Sequence, residues 1–323
     1  MMRDAILNFP KQFLFNPQIQ TRLPQKKYKS FVFSAIGGSL LAGRLVKAVK
    51  PEADITLHGD YGLPPLPADK LKQSLFLIVS YSGNTEEPLD TLKQALKNNY
   101  NCLAISTGGT LLELAREYNI PYIKIPNTGI QPRMALGFNF RAILKAMGEQ
   151  TILRQSSLLA ITLDLAKSRE LGKKLAKKLI NYIPVIYSST SNQALAYGWK
   201  IKLNETGKIP AFYNILPEMN HNEMTGFDVV GSTRSLSKKF YFIFLLDDDD
   251  NERIQTRMEV LEKLYRDRKF PVKIIKLQGN SRPVKVFSSL LLADWTAYYT
   301  AQAYGVESEQ VPMVEEFKKK III

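Results

Sequence analysis

The chain has a single cysteine, Cys102, among 323 residues, so no disulfide can brace it from within. No basic, apolar and small-residue leader opens the sequence, which gives secretion no support and makes a cytoplasmic location the expectation. Long hydrophobic runs are also missing. The longest, such as FVFSAIGG and FYFIFLL, are strand-sized and well short of the ~20 residues of a membrane span. There is no G-x-x-x-x-G-K-[ST] loop, and GGSLLAG spaces its glycines wrongly for a dinucleotide fingerprint, so nucleotide binding is disfavoured. Acidic residues are outnumbered 30 to 44, for a formal charge of +14, which would suit nucleic acid, an acidic surface or phosphorylated small molecules. The lysines, however, lie in ELGKKLAKKLI, EFKKK and DTLKQALKNN, interleaved with acidic and apolar residues as on solvated helix faces. With no aromatic-lined basic groove, neither a nucleic-acid nor a membrane partner is expected.

What is present is a 45% hydrophobic composition, enough for two domains with real cores. From Tyr28 to about Gly148, strand-like runs (SFVFSAI, DITLHG, SLFLIVS, NCLAIST, PYIKIP) alternate with helix-like segments beginning near Ser39, Thr85, Thr110 and Arg133. A second alternation follows. The long stretch SSLLAITLDLAKSRELGKKLAKKLINYI reads as helical, ahead of PVIYSS, QALAYGWKIKLNE, FYFIFLLD, a charged helix from Asn251, VKIIKLQG, and SSLLLADWTAYYTAQAYG with a basic terminal segment. The economical architecture is α/β: two domains, residues 1–149 and 150–323, each a mainly parallel sheet flanked by helices.

In such sheets ligands bind beyond the carboxyl ends of the strands, where loops enter helix N-termini. The loop SYSGNT sits at such a place. Ser80, Ser82 and Thr85 offer hydroxyls, Gly83 admits close backbone approach, and Thr85 is a candidate N-cap of the helix that follows, with Pro88 in its first turn. The same plan recurs at Gly37, Gly38 and Ser39, and at Ser106 to Gly109. Hydroxyls and amides of this kind suit a phosphate.

SYSGNTEE, the earlier GGS and the later NETGKIPAFYNILPEMNHN together resemble the bifunctional phosphoglucose/phosphomannose isomerases of the sugar isomerase (SIS) superfamily, in order from about Lys29 to Lys318. The resemblance implies a homodimer of two-SIS-domain chains that interconverts glucose 6-phosphate and fructose 6-phosphate, often mannose 6-phosphate too, through a cis-enediol and without metal or cofactor. It also implies a phosphate loop of Ser80, Ser82 and Thr85, and a loop near the substrate of Gly37, Gly38 and Ser39. Arg133 falls on the family's arginine, Glu205 on the catalytic glutamate, His221 on a histidine supplied across the dimer, and Lys318 on a lysine near the terminus.

Each of these has an ordinary structural reading as well. Glu205 could be an exposed helix end, Arg133 a solvated first-turn residue, His221 a hydrogen-bonded structural histidine like His58, and Lys318 one of a solvated charge run. Three positions depart from the family. Asn220 replaces the first of two histidines, Val311 stands where members with mannose activity carry threonine, and Leu40 replaces a small residue and narrows the sugar end. Two other functions remain open: a non-catalytic sugar-phosphate-binding SIS regulator, which would keep the loops and lose the base, and an aminosugar-phosphate isomerase, whose likeness stops at the loops.

Overall fold

Continuous apolar runs become inner strands here, because a parallel sheet covered by helices on both faces has no solvent side. The computed structural model describes residues 1–21 and 27–321. One unit, Leu7–Leu163, contains β1 (Ile19–Gln20), β2 (Ser30–Ser34), β3 (Asp54–His58), β4 (Leu75–Val79), β5 (Asn101–Ser106) and β6 (Tyr122–Lys124). Their order is β1-β6-β5-β4-β2-β3. All neighbours are parallel except the edge pair β1 and β6. Every residue of β4, LFLIV, is buried, and Phe76 and Ile78 pack with Leu92 and Ala95 of the Glu86–Lys97 helix. Each such side chain removed from water contributes about 1.5–3 kcal/mol.

The other unit, Met1–Ile6 with Asp164–Ile323, contains β7 (Ile183–Ser189), β8 (Phe212–Leu216), β9 (Phe240–Leu246) and β10 (Val272–Lys276). The order is β10-β9-β7-β8, parallel throughout. Each sheet is flanked by helices, as the alternation of patterns predicts. β8 has no clear periodicity in the sequence. It is an edge strand, partly exposed along most of its length, so no buried face had to be written into it.

The long stretch read as helical, residues 156–183, follows the Gln150–Ser156 helix and holds two more, Leu159–Thr162 and Leu165–Leu179. Asp164 starts the last by accepting from the Lys167 amide at 2.9 Å, an N-cap that competes with continuing the helix. The division between units accordingly falls at Leu163/Asp164, beyond Glu149. Arg141, buried on the Leu136–Met147 helix, donates to Leu153 O at 2.9 Å, Ser156 Oγ at 2.7 Å and Ser157 Oγ at 3.0 Å. That guanidinium fastens the segment after Gly148 to the first unit.

Candidate active site

Strands β2 and β4 are parallel neighbours, so the loops that follow them leave from one edge of the first sheet. The first is Gly37-Gly38-Ser39, opening the Gly37–Val49 helix. A Cβ on Gly38 would lie 2.9 Å from both Cα and N of Arg133, so glycine is what lets this loop rest on the Pro132–Met134 turn. Arg133 is 2% exposed, which sets a permanent positive charge in the interior beside the loop. The turn is held from far away in sequence. Buried Gln12 donates to Met134 O at 2.7 Å and accepts from the Gly137 amide at 2.9 Å. Leu40 is buried, and its Cδ2 would lie 2.9 Å from a Cβ built on Gly59, which places it in the packing beside the loop after β3.

The second loop is Ser80 to Thr85. Ser80 Oγ lies 2.7 Å from Thr85 Oγ1 and accepts from the Gly83 amide at 3.0 Å. Gly83 has φ +77°, and a Cβ there would meet Gly108 O at 1.9 Å; both facts demand glycine. Thr85 occupies the N-cap position of the Glu86–Lys97 helix without a side-chain capping bond, because its hydroxyl is turned to Ser80. Ser82 is exposed at the tip, where its Oγ receives the Asn84 amide at 3.3 Å. The third loop, Ser106 to Gly109, acts as a brace. Thr107 Oγ1 donates to Tyr81 O at 2.8 Å, Ser106 Oγ to the same oxygen at 3.3 Å, and the Thr110 amide to Asn84 Oδ1 at 3.0 Å. Of three loops with one sequence plan, two line the edge and the third stiffens its neighbour. Hydroxyls, a tight glycine turn and a helix N-terminus are groups of the kind that can hold an anion.

The remaining candidates lie in the second unit on separate elements. Glu205 ends the Gln193–Glu205 helix, half-buried. His221 closes the Glu218–His221 turn and is exposed. Lys318 lies on the Pro312–Lys320 helix, exposed and ion-paired with Glu315 at 2.9 Å. His58 is the structural histidine: buried, with its Nε2 3.0 Å from Gly62 O. Asn220, in place of a histidine, lies 3.4 Å from Arg257 Nη1 through its Oδ1.

Curated relatives match along nearly the whole chain. A protein of Aquifex aeolicus is 31% identical over 298 residues, 91% of each chain. One of Thermoplasma volcanium is 31% identical over 297 residues, 91% of this chain and 92% of the other. Both are named bifunctional phosphoglucose/phosphomannose isomerase. The chain belongs to that family. Residues 168–321 also match the model described as the bacterial phospho-glucose isomerase C-terminal SIS domain. The fold is shared with the C-terminal domain of glucosamine-fructose-6-phosphate aminotransferase from Francisella tularensis, at TM-score 0.65 and 18% identity, covering 96% of this chain and 98% of that one.

Two features of this isomerase-family chain had no distinct sequence signal, because their parts are far apart. At the carboxyl ends of β7 and β9, the place that carries the loops in the first unit is filled by side chains. Asp247 accepts from Arg282 Nη1 at 2.7 Å, Lys285 Nζ at 2.6 Å and Asn192 Nδ2 at 3.2 Å. Burial pushes the Asp247 carboxyl up, but bonds from Lys285, the Asp249 amide and Asn192 outweigh it and hold it below the usual range. Asp250, half-buried beside it, is pushed up by desolvation and by the Asp247 charge despite a bond from Ser189. This crevice supplies its own anion. The second feature follows His221 in the chain. Glu223, two residues on, receives the phenol of buried Tyr187 at 2.5 Å and the amide of Asn214. Burial, then Tyr265 and Glu223, push that phenol well above its ordinary value, so it stays a donor.

Proposed function

We propose that this protein is an aldose-ketose isomerase that interconverts glucose 6-phosphate and fructose 6-phosphate, and takes mannose 6-phosphate as a second aldose. The observation that carries the reading is the cradle of Ser80, Ser82 and Thr85 at the head of the Glu86–Lys97 helix, with a buried arginine beside Gly38 of the neighbouring strand's loop. The names of the full-length relatives supply the substrate class. Ser82 and Thr85 bind the phosphate, with Ser80 shaping the loop, and Gly37, Gly38 and Ser39 line the sugar. His221 and Lys318 exchange protons at O5 and O1 to open the ring. Glu205 then removes the proton from C2 of the open aldose. The C2–H electrons form the C1–C2 double bond while the carbonyl oxygen becomes an enediolate oxyanion, stabilised by Arg133. The O2 hydroxyl gives up its proton and the O1 oxyanion gains one, the proton on Glu205 passes to C1, and O2 becomes the carbonyl of the ketose. His221 acts from the neighbouring subunit of a homodimer, and the enzyme works in the cytoplasm.

Purified protein given fructose 6-phosphate without added metal or cofactor should form glucose 6-phosphate, with mannose 6-phosphate followed in a separate coupled assay. Glu205→Gln should retain sugar-phosphate binding and lose turnover by about a hundredfold or more, the scale of a missing general base. In deuterated water, part of the product should carry solvent deuterium at C1 or C2. Binding without turnover in the wild type would instead identify a sugar-phosphate-binding regulator.

A further inference from the structure

The sequence NETGK ends the Gln193–Glu205 helix, and the residues after Glu205 are tied back more heavily than a helix end requires. The Thr206 and Gly207 amides both reach Lys202 O, at 2.9 and 3.0 Å. Asn204 Nδ2 donates to Ile209 O at 3.0 Å and to Ala211 O at 3.4 Å. Within this knot Lys208 has φ +59°, a left-handed backbone that an L-residue with a long side chain rarely adopts. A left-handed lysine needs a reason that glycine or asparagine would not supply. Its ammonium shows one. Lys208 Nζ donates to the backbone carbonyl of Glu205 itself at 2.7 Å and to the carbonyl of Gln310.

Gln310 lies in the segment that leads through Val311 into the Pro312–Lys320 helix, which carries Lys318. That segment is itself closed on a side chain. Glu307 accepts from the amides of Glu309 and Gln310, each at 2.6 Å. Burial raises its carboxyl, but those amides and the Lys208 charge outweigh it and keep it below the usual range. One ammonium therefore bridges the main chain of Glu205 and the start of the terminal helix.

We infer that Lys208 is a positioning residue for the isomerisation: its ammonium sets the Glu205 main chain against the 307–312 segment, fixing the base relative to the helix that bears Lys318. This rests on the proposed roles of Glu205 and Lys318. A general base must be held to within a fraction of an ångström of the proton it takes, and displacement by about 1 Å can cost a hundredfold. The effect therefore belongs in turnover rather than in phosphate binding.

Lys208→Met keeps the apolar stem and removes the two donor bonds, whereas Lys208→Arg restores a cation of greater reach. In Lys208→Met, kcat should fall about ten- to a hundredfold. KM for fructose 6-phosphate and competitive inhibition by inorganic phosphate should stay within about twofold, and Lys208→Arg should recover much of the lost kcat. Hydrogen exchange should quicken at amides 205–209 and 307–311 and nowhere in the first unit. Unchanged kcat in Lys208→Met, or an equal rise in KM, overturns the inference. Glu205→Gln is assayed in parallel. If it keeps normal turnover, the base assignment fails by itself, and the exchange pattern still decides whether the ammonium joins the two segments, unaltered exchange overturning that link.

Discussion

Ser80 and Ser82 are two residues apart in one loop, yet their hydroxyls have different tasks. The Ser80 hydroxyl is engaged by Thr85 and by the Gly83 amide, inside the loop. Ser82 is at the surface with one long bond. Ser80→Ala removes the hydroxyl that joins Thr85 to the Gly83 amide, while that amide keeps the Ser80 carbonyl at 3.2 Å, so the change should cost about 0.5–1.5 kcal/mol of stability and loosen the loop. Ser82→Ala should leave the melting temperature unchanged and raise KM for fructose 6-phosphate several-fold with little loss of kcat. Thermal melts and initial rates on both variants check the contrast, and equal destabilisation would make the two serines equivalent. Cys102, the one thiol, is pushed up to about 12 by burial. It is a packing residue, and thiol-modifying reagents should reach it only on unfolding.

At the scale of elements, the Gln193–Glu205 helix matters most because it carries Glu205. It is anchored one turn earlier by Lys202, whose ammonium lies 2.5 Å from Asp294 on the Arg282–Ala303 helix, each 1% exposed. Trp199 Nε1 adds a bond to Ser289 Oγ of that helix at 3.0 Å. Removing one partner strands the other charge. Lys202→Met should therefore cost about 3–5 kcal/mol, while Lys202→Met with Asp294→Leu should regain most of it. Denaturant unfolding of the two variants measures the difference. The Asp247 cluster makes a pH prediction. The folded value of Asp247 is depressed, so its stabilisation is fully present above the ordinary carboxyl value of about 3.9 and lost as pH falls through the folded value. Asp250 has the opposite sign: raised when folded, it favours the native state below its ordinary value and loses that contribution as pH rises through the folded one. In Asp247→Asn, stability should fall less steeply between pH 4 and 2 than in the wild type.

For the whole molecule, the question is what completes the site. The Pro312–Lys320 helix has no buried residue, and its Met313, Val314 and Phe317 are exposed, as is His221. An apolar stripe and an exposed histidine accord with the proposed homodimer in which His221 serves the neighbouring chain. Mixing inactive Glu205→Gln chains with inactive His221→Ala chains should then restore part of the activity, because some mixed dimers hold one intact site. Verified subunit exchange without recovered activity would assign each site to a single chain. No helix among the described residues is long and apolar enough to cross a membrane.

Alternating apolar runs, the helix starts after SYSGNT and at GGS, and the exact span of QALAYGWKIKLNE were legible in the sequence, because period, caps and turn residues act within about ten positions. Family membership was legible too, in the ordered set of short motifs. Decisions made by distant partners were not. Gln12 reaches Met134 and Asp247 reaches Lys285 across long stretches of chain, and no local pattern encodes which of many polar residues will meet. For that reason the sequence presented Ser106 and Thr107 as a third copy of the phosphate-loop plan, whereas tertiary packing spends them on Tyr81. It also showed Arg133 and Lys318 alike as basic residues near helices. Only the fold buries the first and leaves the second in solvent, because burial depends on which surfaces close over a residue and not on the residue itself.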